Sequence, residues 1–376
     1  MHDLGFLRDL LIAFALGGAV VYLLRPIKVP SLVGLLVAGV MLGPHGLSLI
    51  TDTKNVEILA EIGIVLLLFT IGLELSIGHL VGMWRTLLLG GGAQVLLTVI
   101  LISLAASAVG IAAGGKALFF GCLVSLSSTA IVLALLGQKG ELATPVGRAS
   151  LGVLLFQDLC IVPLMLLAPF LAGQGGGARE IATTVAAAVG VVAGVVIAAR
   201  RLVPALLFHV VRTRSRELFL TLIMVLCLGT AYLTSLAGLS LALGAFLAGL
   251  AISESEYSHQ ALAEAIPFRD AFAGLFFMSI GMLMDVRQVA AAPLRVAGIV
   301  GVIIVLKLVS TSLPLVLLGH SARSAVLTAF VLAQVGEFAF VLAHSGQSLG
   351  LLTPAEYQVF LAASVITMLL TPPLRF

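Results

Sequence analysis

Three ionisable side chains stand where an apolar chain accommodates them least. Asp158 in "VLLFQDLCIVPL", Lys307 in "VIIVLKLVS" and Glu337 in "LAQVGEFAFV" each fall near the middle of a long apolar run. A charge at the centre of a bilayer costs roughly 2.5–3.5 kcal/mol on insertion scales, so such residues pair, line a wet cavity or carry function. Asp158 and Lys307 share a depth and have opposite signs, which predicts an ion pair. A plain structural bridge would use the same two residues, but buried pairs are poor stabilisers. The functional reading is a carboxylate shared in turn by a proton and a cation. Its proton affinity is then set by burial and by the Lys307 charge acting in opposite senses.

Two clusters of small and polar residues accompany these charges. "CLVSLSSTAIVLAL" sets Ser125, Ser127, Ser128 and Thr129 in mid-run, and "AQVGEFAF" does the same with Gln334, Gly336 and Glu337. Small residues at mid-depth serve close helix packing. In corresponding places of two halves they mark discontinuous helices, whose freed carbonyls coordinate a cation. Gln157, directly before Asp158, would add a neutral carbonyl ligand. Asp158 would then be the centre of a monovalent cation site, with Gln157, Ser127, Ser128 and Thr129 around it, Lys307 as charge partner, and Ser125, Gln334, Gly336 and Glu337 as support.

The elements that must hold these residues follow from composition. Of 376 residues, 61% are hydrophobic and only 10% charged, far from soluble usage. The chain reads as an all-α polytopic membrane protein. Apolar windows at 5–24, 29–43, 56–73, 86–109, 116–136, 148–170, 180–199, 216–234, 238–252, 268–284, 295–318, 322–346 and 354–372 predict roughly thirteen spanning helices. The first window has no small-residue cleavage site, so no cleavable signal is expected. With the N-terminus outside, the inside loops carry about twice the Lys and Arg of the outside loops, which predicts N-out and C-in. "RRLVPALLFHVVRTRSR" is basic and is expected to lie partly along the membrane surface. The formal net charge of +3 gives no nucleic-acid surface. Cys122, Cys160 and Cys227 read as small core residues. No nucleophile–base pair, metal cluster or phosphate loop points to an enzyme. The fifth window lies at the middle of windows four to six, and the twelfth at the middle of eleven to thirteen. An offset of seven helices makes these triads inverted repeats.

The chain resembles the monovalent cation:proton antiporters of the second large branch, and especially the Kef-type glutathione-regulated potassium efflux proteins, in their transmembrane part only. The matching words include "PSLVGLLVAGVMLGPHGL", "AEIGIVLLLFTIGLEL", "SLSSTAIVLALL", "GRASLGVLLFQDLCIVPL", "LALGAFLAGLAISESEY", "PFRDAFAGLFFMSIGM" and "LAQVGEFAFVLA". Sodium-type members carry two aspartates where this chain has Gln157-Asp158, the Kef-like form. The resemblance implies a sodium/proton antiporter-like fold with two crossed broken helices. It implies potassium/proton antiport, with no resident cofactor and K+ and H+ as cargo. A sodium/proton antiporter and a ligand-gated potassium channel-like efflux protein are the alternatives. It further implies a homodimer in the bacterial inner membrane. The scaffold would be about 1–78 and 216–285, the transport core about 86–170 and 295–376, and a linker helix about 180–199. Kef proteins continue into a soluble nucleotide-binding regulatory domain, absent from these 376 residues, so a separate regulatory domain or ancillary subunit is an expected partner. The segment with Glu254, Glu256, His259 and Glu264, expected as a cytoplasmic loop, would be the gating contact, although "SHQALAEA" keeps the family's loop word only in part.

Overall fold

The computed structural model describes residues 2–27, 31–50, 54–74, 85–174, 190, 194, 203, 205–236, 241–253 and 255–374. All regular structure among them is helical. In chain order the helices are α1 (His2–Leu24), α2 (Ser31–Leu42), α3 (Lys54–Glu74), α4 (Arg85–Ala108), α5 (Gly114–Ser125), α6 (Thr129–Gln138) and α7 (Pro145–Leu171). They continue with α8 (Arg216–Leu236), α9 (Leu241–Ser253), α10 (Ser258–Leu283), α11 (Val286–Ala291), α12 (Pro293–Leu317), α13 (Ala322–Val331), α14 (Glu337–Ser348) and α15 (Pro354–Leu374). Seven helices among the described residues are long and apolar enough to cross a membrane.

One packing group is built from α1, α2, α3, α8, α9 and α10. Lipid tails are as apolar as leucine, so these helices gain by close van der Waals approach rather than by burial of oil from water. Glycines make that approach. A Cβ at Gly281 of α10 would land on the Leu36 carbonyl of α2, and one at Gly39 of α2 would land on the Met278 carbonyl of α10. The basic stretch also joins this group. Residues 205–212 are helical, and Val203 and Leu207 are buried against α3, α8 and α9.

The second group holds α4–α7 and α12–α15. Each quartet repeats one pattern: a long helix, a pair of half-helices, and a second long helix. The halves have 12 and 10 residues in α5 and α6, and 10 and 12 in α13 and α14. Thus the fifth and twelfth windows are each two helices, as the mid-run hydroxyls and glycine predicted. The first break spans residues 126–128 and the second 332–336.

Two expectations need correction or restriction. The tenth window was expected to start at 268, after a loop, but α10 starts at Ser258. His259 and Glu264 therefore lie on its opening turns, and Glu256 lies in the turn before it. A polar helix end that projects past the apolar span looks like loop to a hydropathy window. Arg216 of α8 bridges Glu264 at 2.7 Å. Glu254 lies outside the described residues, and so does the 180–199 helix apart from Gly190 and Gly194.

Candidate functional site at the helix crossover

The two breaks meet back to back. The Gly336 N–H donates to the Leu126 carbonyl at 3.0 Å. Gly336 is extended, with φ −89° and ψ 171°, a conformation open to any residue. Glycine is needed for space, because a Cβ there would run into the Ser127 backbone. Two further N–H groups freed within the breaks are satisfied from the long helices. Gln157 Oε1 of α7 accepts from Ser127 N–H at 2.7 Å. In the inverted repeat, Thr367 Oγ1 of α15 accepts from Val335 N–H at 3.1 Å. Thr367 is the counterpart of Gln157, which makes Gln157 first of all a backbone cap.

Half-helices bring their termini to mid-depth. α5 and α13 end at the crossover with carbonyl-bearing, partially negative ends, and α6 and α14 begin there with partially positive ones. Lys307 of α12, fully buried, meets the negative ends. Its Nζ donates to Gln334 O at 2.6 Å, Ser127 Oγ at 2.8 Å and Leu126 O at 3.1 Å. Ser127 Oγ spends its one proton on Leu332 O at 3.0 Å. Leu126 O also accepts from the Gly336 N–H, so Gln334 O and Ser127 Oγ are the two acceptors that depend on Nζ, and the three contacts together match the three donors of an ammonium.

Asp158 is 6% exposed and meets a positive end. Thr129, the first residue of α6, donates to its two carboxyl oxygens at 3.2 and 3.1 Å. Among the described residues no salt bridge joins Asp158 to a basic side chain. The expected Asp158–Lys307 ion pair is thus not formed. Matching depth fixes position along the membrane normal, but not which way a side chain is drawn. The carbonyl ends offer Lys307 three acceptors at one point. Of the carbonyls freed at the breaks, those of Leu126 and Gln334 hold the lysine.

The other predicted residues divide by role. Ser128 caps α6, accepting from Ile131 N–H at 3.3 Å, and its carbonyl accepts from Gln334 Nε2 at 3.4 Å. Ser125 Oγ donates to Cys122 O at 2.8 Å within its own helix. Glu337 opens α14, is buried, and lies near enough to Asp158 for their charges to interact. Glu256, His259 and Glu264 are not part of this cluster.

Sequence reasoning missed a polar chain behind the crossover. Gln157 Nε2 donates to Gln94 Oε1 of α4 at 2.7 Å, and Gln94 Nε2 donates to Thr98 Oγ1 at 3.0 Å. Thr98 Oγ1 lies 2.7 Å from Ser310 Oγ, which donates to Lys307 O at 3.3 Å. The available signal was Gln94 itself, a primary amide inside the apolar run "GGGAQVLLTVI". A buried amide requires partners.

Inverted helix groups crossing at broken mid-span segments, with a buried carboxyl at the crossing, define an ion-transport architecture rather than an enzyme cleft. The fold is that of the sodium proton antiporter MjNhaP1 from Methanocaldococcus jannaschii, solved at pH 8, with a TM-score of 0.74 over 100% of this chain and 96% of that one, at 17% identity. The chain belongs to the transmembrane sodium/hydrogen exchanger family, which it matches over residues 11–376. It is 38% identical over 357 residues to K(+) efflux antiporter 2, chloroplastic, of Arabidopsis thaliana, covering 92% of this chain and 30% of that protein. It is 35% identical over 344 residues to the glutathione-regulated potassium-efflux system protein KefC of Salmonella heidelberg, covering 91% of this chain and 55% of that protein. The chain therefore spans about a third to a half of the length of these relatives.

Proposed function

We propose that the chain exchanges potassium for protons across a membrane by alternating access, with Asp158 as the single carboxylate occupied in turn. The observation that carries this reading is the division of charge at the crossover. Lys307 is consumed by carbonyl and hydroxyl oxygens, so Asp158 is buried at mid-span with Thr129 as its side-chain partner and, among the described residues, no fixed counter-charge. A carboxylate in that setting needs a mobile positive charge, which a proton or a metal cation supplies. Thr129 and neutral oxygens nearby complete a hard-cation site. K+ and H+ are cargo, and no resident cofactor is invoked. Potassium is favoured over sodium by the names of the relatives and by Gln157 standing where sodium-type members have a second aspartate.

Exchange is electroneutral in this reading. Lys307 keeps its three hydrogen bonds whether Asp158 holds K+ or H+, so the loaded site has equal charge on both transits. The mobile part is the group of α4–α7 and α12–α15, moving against α1–α3 and α8–α10. The division at about 1–78 and 216–285 against 86–170 and 295–376 supplies the scaffold and the transport core. The scaffold is the face that pairs in a homodimer. The protein works in the bacterial inner membrane with its N-terminus outside and its C-terminus inside, and the greater length of the relatives supports a regulatory domain as partner.

The test is a pH-jump flux assay on proteoliposomes, comparing lithium, sodium, potassium and rubidium. Potassium-coupled proton flux is expected, and Asp158→Asn abolishes both ion and proton movement. Antiport surviving in a well-folded Asp158→Asn protein would remove the carboxylate from the mechanism. A sodium preference would select the alternative substrate. A flux reversal point that moves with clamped voltage would exclude electroneutral exchange, since one net charge is worth roughly 2.3 kcal/mol per 100 mV.

A further inference from the structure

We infer that Gln94 is a positioning residue for the cation site, acting through the amide of Gln157; the inference rests on the proposed role of Asp158. Gln94 sits on α4, touches neither Asp158 nor Lys307 in the hydrogen-bond pattern, and is fully buried. Its importance lies in the direction it gives to a closed ring of hydrogen bonds. The ring runs from Ser127 N–H to Gln157 Oε1, from Gln157 Nε2 to Gln94 Oε1, and from Gln94 Nε2 to Thr98 Oγ1. It continues through Ser310 to the Lys307 carbonyl, and the Lys307 side chain returns to Ser127 Oγ.

Backbone groups lock both ends of this chain. Ser127 N–H can only donate, and the Lys307 carbonyl can only accept. The Ser125 carbonyl, 3.4 Å from Gln94 Nε2, is a second such anchor. Either amide rotated by 180° would set donor against donor at Ser127 N–H or acceptor against acceptor at Ser125 O. Amide orientation is decided by such networks, and here the network admits one arrangement. Gln94 is the member that transmits it, because it alone joins Gln157 to α4.

The consequence falls on the ion site. Gln157 precedes Asp158 in α7 and holds Ser127. Two residues beyond Ser127, Thr129 supplies the hydroxyl at the carboxylate. Without Gln94 the Gln157 amide has a buried NH2 with nothing to receive it, and it turns to find another acceptor. Ser127 N–H then loses its cap, and Thr129 loses its fixed distance to Asp158. Cation binding weakens, while the residues that carry the proton and the lysine that fills the crossover are untouched. Position 94 also accounts for a glutamine where packing alone would be met by leucine or methionine.

The experiment measures potassium-driven proton flux in proteoliposomes for Gln94→Met, Gln157→Met, the double variant and Asp158→Asn. Gln94→Met keeps the side-chain length and removes the amide. Its half-saturating potassium concentration should rise about tenfold, the loss of one or two ordinary hydrogen bonds, with maximal rate within about twofold. The double variant should be no worse in potassium affinity than Gln157→Met, because Gln94 acts through Gln157. An unchanged half-saturation in Gln94→Met overturns the inference. So does an equal loss of maximal rate and affinity, or additive losses in the double variant. If Gln94→Met does not fold, Gln94→Asn, which withdraws the amide by one methylene, is read by the same criteria. Transport surviving in Asp158→Asn would instead bring down the site reading, whereas an inactive Asp158→Asn beside a normal Gln94→Met would remove Gln94 alone.

Discussion

Replacing Lys307 with methionine tests the electrostatic arrangement of the crossover most directly. The substitution keeps the length of the side chain and leaves Gln334 O and Ser127 Oγ without their donor, while Leu126 O keeps the Gly336 N–H. An orphaned buried acceptor costs about 1–3 kcal/mol, so two cost about 2–6 kcal/mol. Removing a buried charge returns several kcal/mol of desolvation, which leaves a net loss of about 1–3 kcal/mol. For a chain this long the unfolding entropy is on the order of 0.8 kcal/mol/K, so the thermal midpoint should fall by about 1–4 °C. Asp158→Asn is nearly isosteric, retains an oxygen for Thr129, and should change stability by less than about 1 kcal/mol. The assay is thermal unfolding of both single variants and the double variant in one lipid or detergent. The two substitutions should be nearly additive, with a coupling below about 1 kcal/mol. Equal losses in the two single variants, with a coupling above about 2 kcal/mol, would restore a direct Asp158–Lys307 pair and refute this account.

Thr129→Val removes the hydroxyl that donates to Asp158 and should weaken potassium half-saturation by roughly ten- to a hundredfold, since a hydrogen bond to a charged group is worth about 1.5–3 kcal/mol; unchanged affinity would take Thr129 out of the site. Gly336→Ala forces a Cβ into the Ser127 backbone, which cannot swing aside as a side chain would. It should cost at least about 1–3 kcal/mol and suppress transport, and a variant of normal stability and rate would mean that the crossover is looser than its geometry. Glu264→Gln breaks a surface bridge to Arg216 and should leave the thermal midpoint and the flux unchanged. A clear change in flux would return a gating role to the start of α10.

The sequence by itself determined the membrane class, the two helix breaks and the residues gathered at them. Each is a statement about one dimension: length of apolar run, depth along a span, and small or polar residues where a continuous helix would place leucine. Asp158, Ser127, Ser128, Thr129, Gln334, Gly336 and Lys307 were legible on that basis, because an ionisable or hydroxylated residue at mid-depth is conspicuous whatever surrounds it. Which of them bond to which was not legible. Depth matched Asp158 to Lys307, and the tertiary structure gave each a different partner. The lysine was drawn to the carbonyl ends of α5 and α13, and the carboxylate to the start of α6. Those ends exist only once two inverted helix groups cross, so their partial charges have no signature in the order of residues. Gln157 read as an ion ligand, and only the fold gave it a backbone N–H to cap. Gln94 and Ser310 lie more than 200 residues apart in sequence and are joined through one hydroxyl. Such a ring is a property of helix rotation and packing, and hydropathy along the chain contains neither.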